Sequence, residues 1–140
     1  MENTALTISI NSFSYKSGLK NSDTEHGMGF VFDMRGIHNP GRYPEYKFKS
    51  GRDIEVINYL MTHSEIEDYL LHVFALLEIT IRSFIERKFT RLQVNFGCTG
   101  GQHRSVYAAD KTYDYIRLNF PEVNLLLEHQ NQSNWLQSEQ

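Results

Sequence analysis

The sequence predicts an α/β domain: a small, mainly parallel sheet, a strand–glycine loop–helix anion site and a long helix pair. Three observations carry this. Alternating stretches and stretches of three-and-four periodicity follow one another in the order β-β-α-α-β-α-β. The alternating Leu92-Gln93-Val94-Asn95-Phe96 passes through Gly97-Cys98-Thr99-Gly100-Gly101-Gln102-His103-Arg104-Ser105 into a helical pattern of Val106, Ala109, Tyr113, Ile116 and Phe120. With a last strand after it, that stretch forms a βαβ unit. The length, 140 residues, is that of one domain with a core of its own.

In chain order, Thr4–Ser12 alternates Leu6, Ile8 and Ile10 against Thr7, Ser9 and Asn11, which predicts a half-buried strand. Residues 13–27 are polar and read as a loop. Gly29–Met34 is a second strand. Residues 35–49 hold Pro40, Pro44, Gly36 and Gly41 and read as a long irregular segment, of the kind that often carries function. Ile54, Ile57, Leu60 and Met61 mark a first helix, with Ser50 as its candidate cap. Ser64 and Glu67 have the spacing of a capping box for a second, long helix with Ile66, Leu70, Val73, Leu77, Ile81 and Phe84 on one stripe. Strand Leu92–Gly97, the glycine loop, a third helix stopped near Pro121 and a strand over Val123–Leu127 follow. Residues 3–129 are thus expected to form a single domain and 130–140 a flexible tail, in which Trp135 is the one residue suited to docking. The alternation is unusual for a parallel sheet covered on both faces. Either one face is only partly covered, or it packs on another subunit; a homo-oligomer is therefore expected.

Composition narrows the function classes. Hydrophobic content of 40% and charged content of 22% are ordinary for a globular protein. A net charge of −3 argues against a broad, non-specific grip on nucleic acid or acidic membrane. The single cysteine rules out an internal disulfide. The N-terminus lacks a signal-peptide pattern, so a cytoplasmic protein without a membrane partner is expected. The scattered His26, His38, His63, His72 and His129 form no ligand pattern; neither a metal nor a cofactor is expected. There is no G-x-x-x-x-G-K-[ST] loop for ATP or GTP hydrolysis.

The glycine loop carries the chemistry. Paired glycines let the backbone approach a ligand and take positive φ. The N–H groups of the first turn of the following helix converge on one spot that favours negative charge. Arg104 can add a guanidinium clamp, Thr99 a hydroxyl and His103 a donor or proton carrier. A phosphate group is the expected ligand. A second reading is enzymatic: Cys98, five residues, then Arg104-Ser105 has the spacing of the phosphate loop of cysteine-dependent phosphatases. A thiolate activated at a helix N-terminus would attack phosphorus, and Asp33 would protonate the leaving group.

Further motifs fall in order around the loop: Phe13-Ser14-Tyr15-Lys16-Ser17-Gly18, Phe32-Asp33-Met34-Arg35 with Asn39-Pro40, and Gly51-Arg52-Asp53. With Gly97-Cys98-Thr99-Gly100-Gly101-Gln102-His103-Arg104-Ser105 they resemble the C-terminal domain of the RapZ family of RNase adapter proteins, from about Thr4 to His129. The resemblance implies a non-catalytic domain that senses an amino sugar phosphate, glucosamine 6-phosphate, and contributes RNA binding and oligomer or partner-protein contacts. It places Thr99, Gly100, Gly101, Gln102, His103, Arg104 and Ser105 at the ligand, with Cys98 supporting the turn. Ser12, Lys16, Asp33, Arg35 and Asn39 would line or brace the pocket. Three departures stand out. The family's kinase-like domain with its Walker A loop does not occur in this sequence, Gly41-Arg42 follows Asn39-Pro40, and no Lys or Arg follows Arg117. The last weakens the RNA expectation, leaving Arg82, Arg87, Lys88 and Arg91, or Arg42, Lys47, Lys49 and Arg52, as basic candidates.

Overall fold

A computed structural model describes residues 5–20, 27 and 29–137. Thr4, His26 and the last three residues lie outside that range, as do residues 21–26 of the expected loop before β2. The elements are β1 (Thr7–Ser14), β2 (Phe30–Asp33), α1 (Ile54–His63), α2 (Ile66–Glu86), β3 (Arg91–Cys98), α3 (Arg104–Asn119) and β4 (Asn124–His129). Short 3-10 turns lie at Pro40–Arg42, Pro44–Tyr46 and Gln132–Asn134. The expected order β-β-α-α-β-α-β holds. All pairings are parallel, in the sheet order β2-β3-β1-β4, so the β3–α3–β4 connection passes over β1.

The register explains the alternation. Ile8 pairs with Leu92 and Leu125, Ile10 with Val94 and Leu127, and Phe30 with Val94. Residues paired side by side point to the same face. That face joins the buried stripes of α1 (Val56, Leu60), α2 (Ile66, Leu70, Val73, Leu77, Ile81) and α3 (Ala108, Ala109, Ile116) in one core. Each fully buried Val, Leu or Ile side chain among these contributes about 1.5–3 kcal/mol relative to exposure. The opposite face carries Ser9, Asn11, Gln93 and Asn95. There the Asn11 amide donates to Asn95 Oδ1 at 2.9 Å, and the Asn95 amide donates to the Phe30 carbonyl at 2.9 Å. The polar half of the alternation is therefore a sheet face that no helix stripe covers. The domain has two layers, which is why its strands do not read as continuously apolar.

Several local expectations are corrected. Strand β1 extends through Phe13 and Ser14, which the sequence assigned to a loop, because Gly97 opposite Phe13 leaves room for its ring: a Cβ on Gly97 would lie 2.4 Å from Phe13 Cζ. Strand β4 continues two residues beyond Leu127 to His129. Asp53, not Ser50, is the N-cap position of α1; Ser50 Oγ accepts from the Arg52 N–H, and Asp53 Oδ2 from the Ser50 N–H at 2.7 Å. Ser64 makes no capping box with Glu67. Its hydroxyl donates to the Leu60 carbonyl, closing α1, and accepts from the Ile66 N–H.

In its described part, the segment after β4 is bonded to the rest of the domain. The Gln130 N–H donates to the Ser12 carbonyl at 2.8 Å, and the segment through Leu136 is hydrogen-bonded to the glycine loop. No helix among the described residues is long and apolar enough to cross a membrane.

Candidate functional site

Because the sheet is parallel, the carboxyl ends of its strands lie along one edge, where open α/β sheets bind ligands. Ser14, Asp33, Cys98 and His129 end the four strands there. The glycine loop joins that edge to α3. Gly101 has φ +66, and a Cβ there would come within 2.9 Å of Ser14 Cβ and of the Ser14 backbone nitrogen. Only glycine fits the turn without strain.

The carbonyls of the loop are each held by a different residue, from three separate segments. Ser14 Oγ donates to Thr99 O at 2.7 Å, Asn131 Nδ2 to Gly100 O at 2.9 Å, Trp135 Nε1 to Gly101 O at 2.7 Å and the Gly51 N–H to Gln102 O at 2.9 Å. The Gln102 side chain donates to the Lys49 and Leu136 carbonyls and accepts from the Leu136 N–H. With the carbonyls turned outward and bonded, the amides turn the other way. Among the described residues, no group accepts from the N–H of Gly100, Gly101, Gln102, His103 or Arg104. Consecutive free amides at the start of a 16-residue helix form a backbone nest, an arrangement of the kind that binds anions. Thr99 and Gly100 lie exposed at its mouth.

Each expected site residue has a definite place. The His103 ring is buried and donates from Nε2 to the Tyr46 carbonyl at 2.9 Å. Burial holds its pKa below the ordinary histidine value, although the backbone contacts of Tyr46 and Lys49 act the other way. The ring packs on Gly41, where a Cβ would approach it to 2.8 Å. Asn39 caps the adjoining turn through the Gly41 N–H. Arg104 differs most from expectation. Its guanidinium is buried, and Nη1 donates to the carbonyls of Arg35 at 2.9 Å and Ile37 at 2.8 Å. It clamps the segment after β2 to the start of α3; its Nε has no partner among the described residues. Asp33 and Arg35 form an exposed bidentate pair, with Arg35 lying 4.0 Å over the Tyr15 ring. Hydrogen bonding to Arg35 holds the Asp33 carboxyl below the usual range. Lys16 is exposed at the end of the Ser14 turn.

Ser12 is not at the loop. It is fully buried and bonded to His129 Nδ1 at 2.6 Å, while His129 Nε2 donates to Asp110 Oδ1 at 2.9 Å. Arg52 completes the chain through Nε to Asp110 Oδ2 at 3.0 Å. Burial alone would push Asp110 up, but the hydrogen bonds from His129 and Arg52 outweigh it and leave the carboxyl below its ordinary range. This network, buried at Ser12 and His129 and open to solvent at Arg52, ties β1, β4, α3 and the segment before α1 together.

The phosphatase constellation does not assemble. Cys98 is 2% exposed and faces the core; its thiol donates to Ser105 Oγ at 3.1 Å and accepts from the Ser105 N–H at 3.4 Å. Asp33 pairs with Gly97, one residue out of phase with Cys98, so it points to the opposite sheet face, and its carboxylate is bonded to Arg35. Thus neither the nucleophile nor the acid is free, and Cys98 and Ser105 brace the turn from beneath.

The sequence reading gave Asp110 and Asn131 no role, held Ser14 and Gly51 only as members of motifs, and singled out Trp135 for docking without naming its target. Strand parity is the signal for one more of them: Leu125, Leu127 and His129 lie two residues apart, which extends β4 and brings His129 beside Ser12. Of the basic groups, Arg52 pairs with Asp110, Lys49 with Glu55 and Arg82 with Glu78, and Arg87 lies over Phe89.

Comparison with known proteins finds a family model and relatives that cover most of the chain. A family model described as the RapZ C-terminal domain matches residues 6–133. The chain is 39% identical over 124 residues to a nucleotide-binding protein of Methylococcus capsulatus, covering 89% of this chain and 40% of that protein. It is 36% identical over 130 residues to a nucleotide-binding protein of Endomicrobium trichonymphae, covering 90% and 44%. A nucleotide-binding protein of a Psychrobacter species is 29% identical over 131 residues, covering 93% and 40%. The chain thus spans about two fifths of the length of these relatives.

Proposed function

The chain belongs to the RapZ C-terminal domain family, and on that premise we propose that it is a non-catalytic, regulatory binding domain for a phosphorylated metabolite. The ligand class is an amino sugar phosphate such as glucosamine 6-phosphate, and the bound state is passed to a partner protein or RNA. One observation carries the phosphate reading: the five successive N–H groups from Gly100 to Arg104 have no acceptor among the described residues, while the carbonyls of Thr99 to Gln102 are bonded away from them. A phosphate oxygen set satisfies such a nest, and the helix dipole adds to its hold. Thr99, at the exposed mouth, supplies a hydroxyl to the same oxygens. Lys16 and Arg35 supply positive charge along the strand edge. His103 and Arg104 act from beneath by fixing the backbone that presents the amides.

The amino sugar and the RNA adapter role rest on the family resemblance. The relatives are named for nucleotide binding, and a nucleotide shares the phosphate that the nest recognises; the sugar moiety separates the two. A thermal-shift comparison of glucosamine 6-phosphate, glucose 6-phosphate, glucosamine, a nucleoside monophosphate and inorganic phosphate tests the assignment, since a ligand of the native state raises its melting temperature. Gly100→Asp serves as the control. A Cβ at Gly100 meets nothing within 4 Å, so the new carboxylate repels an anion without disturbing the turn. The expected result is a stabilisation by the amino sugar phosphate that exceeds the other four and disappears in Gly100→Asp. An equal shift with every phosphate overturns the sugar assignment. No shift with any of them, or an undiminished shift in Gly100→Asp, overturns the nest.

A further inference from the structure

Strand β4 is an edge of the four-stranded sheet. The Asn124 N–H donates to the Leu6 carbonyl and the Gln130 N–H to the Ser12 carbonyl, both at 2.8 Å. With the parallel register between them, the even-numbered residues of β4 bond to β1, and the backbone N–H and C=O groups of Leu125, Leu127 and His129 point outward. Among the described residues nothing bonds to those six groups. Edge strands are normally blunted by shortness, lysine, proline or a bulge. The opposite edge, β2, has four residues, and the carbonyl of its last, Asp33, accepts from the Tyr69 hydroxyl. Strand β4 has six, Asn124-Leu125-Leu126-Leu127-Glu128-His129, with no lysine or proline, and Leu126 is 55% exposed.

Two clefts lie beside that edge on the helix side. One, of about 420 Å³, is lined by Ile57, Tyr107, Lys111, Tyr113 and Leu127. The next, of about 280 Å³, is lined by Tyr113, Phe120, Pro121, Val123 and Leu125. Leu127 borders one cleft and Leu125 the other, and Tyr113 is common to both. A strand laid along β4 would set every second side chain on this side, at a spacing of about 6.5–7 Å. We propose that β4 takes an extended segment of a partner protein as a fifth strand, with two bulky apolar side chains two positions apart filling the two clefts. Backbone bonds then supply affinity and the clefts supply selectivity.

Charge narrows the partner further. Within the groove Arg52 is paired with Asp110 at 3.0 Å and Arg117 with Asp114 at 3.7 Å. Lys111 has no carboxylate at ion-pair distance among the described residues; its Nζ lies 5.6 Å from the centre of the Tyr107 ring. Glu128, side by side with Asn11, belongs to the other face of the sheet, and Glu122 precedes the strand. The docking segment therefore carries an acidic residue in line with its two apolar ones. Neither cleft includes a residue of the Gly100–Arg104 loop, so this inference stands apart from the phosphate reading.

A random peptide library displayed on phage, each peptide long enough to span β4, is selected on the full chain. The enriched sequences are expected to share two bulky apolar residues two positions apart and an acidic residue on the same side. Hydrogen exchange at the amides of Leu125, Leu127 and His129 is expected to be fast in the free chain and about tenfold slower with the synthetic peptide bound. An added strand directs every second N–H to β4. N-methylation of alternate peptide amides is therefore expected to abolish binding in one phase and to be tolerated in the other. Lys111→Glu, at an exposed position, is expected to weaken binding about tenfold, and exchanging the peptide's acid for lysine restores it. The absence of an enriched pattern overturns the proposal, as does an equal effect of N-methylation in both phases. Affinity unchanged by Lys111→Glu overturns the acidic partner. Amides of β4 that are protected in the free chain, increasingly with its concentration, put a second copy on the edge and overturn the proposal as well.

Discussion

The indole Nε1 of Trp135 donates to the carbonyl of Gly101 at 2.7 Å, so a residue of the C-terminal segment fixes the one positive-φ glycine of the loop. The same ring lies 5.9 Å from His129, which is bonded to Ser12 and Asp110. The C-terminal segment is therefore part of the loop's scaffold, and the orientation of the amide nest depends on residues more than 30 positions away.

Trp135→Phe keeps most of the ring and removes the hydrogen bond. The expected cost is about 1 kcal/mol of stability, read from the urea midpoint, together with weaker phosphate binding by titration calorimetry. Unchanged values in both measurements would show that the Gly101 carbonyl needs no partner.

Gly101→Ala and Gly100→Ala separate the two glycines. The first places a Cβ against Ser14 in a left-handed backbone and is expected to cost about 1–3 kcal/mol. The second meets open space without positive φ and is expected to stay within about 0.5 kcal/mol of wild type. Thermal unfolding of the pair in parallel checks the contrast.

Arg104→Met strips two carbonyls, that of Ile37 buried and that of Arg35 partly so, of their donor. A loss of about 2–4 kcal/mol follows from leaving the Arg35 and Ile37 carbonyls without a partner. Hydrogen exchange should rise in residues 35–37 before it rises in β3. Binding loss without destabilisation would instead assign Arg104 to the ligand.

The pH dependence has a sign. Burial lowers the pKa of His103 in the folded state, so the unfolded chain takes up the proton first. Its contribution is complete above the unfolded value of about 6.5 and is lost as pH falls from there through the folded value. Urea midpoints at pH 7.5 and 5.5 are expected to differ more for wild type than for His103→Gln, whose side chain does not titrate.

Much of the site was legible as a list of residue types, less of it as a set of roles. The run from Gly97 to Ser105 identifies a strand, a turn and a helix start, because glycine and periodicity are local signals. That Arg104 turns inward to the Arg35 and Ile37 carbonyls is not local. Neither is the burial of Ser12 behind His129, nor the use of Cys98 as a brace for Ser105; each depends on which segment arrives opposite.

The sequence by itself determined the order of the elements, the position of the glycine loop and the family. Hydrophobic period, turn chemistry and a long specific motif act over a few residues and survive without knowledge of partners. Only the tertiary structure decided that one sheet face carries the helices and the other its polar side chains. It also decided that the C-terminal segment is docked and that the loop's carbonyls are satisfied from three separate segments. The physical reason is that a buried polar group must find its partner wherever the fold brings one. The register that sets Ser14, Gly51, Asn131 and Trp135 around four consecutive carbonyls is a property of strand pairing and chain return, not of any stretch of residues read alone.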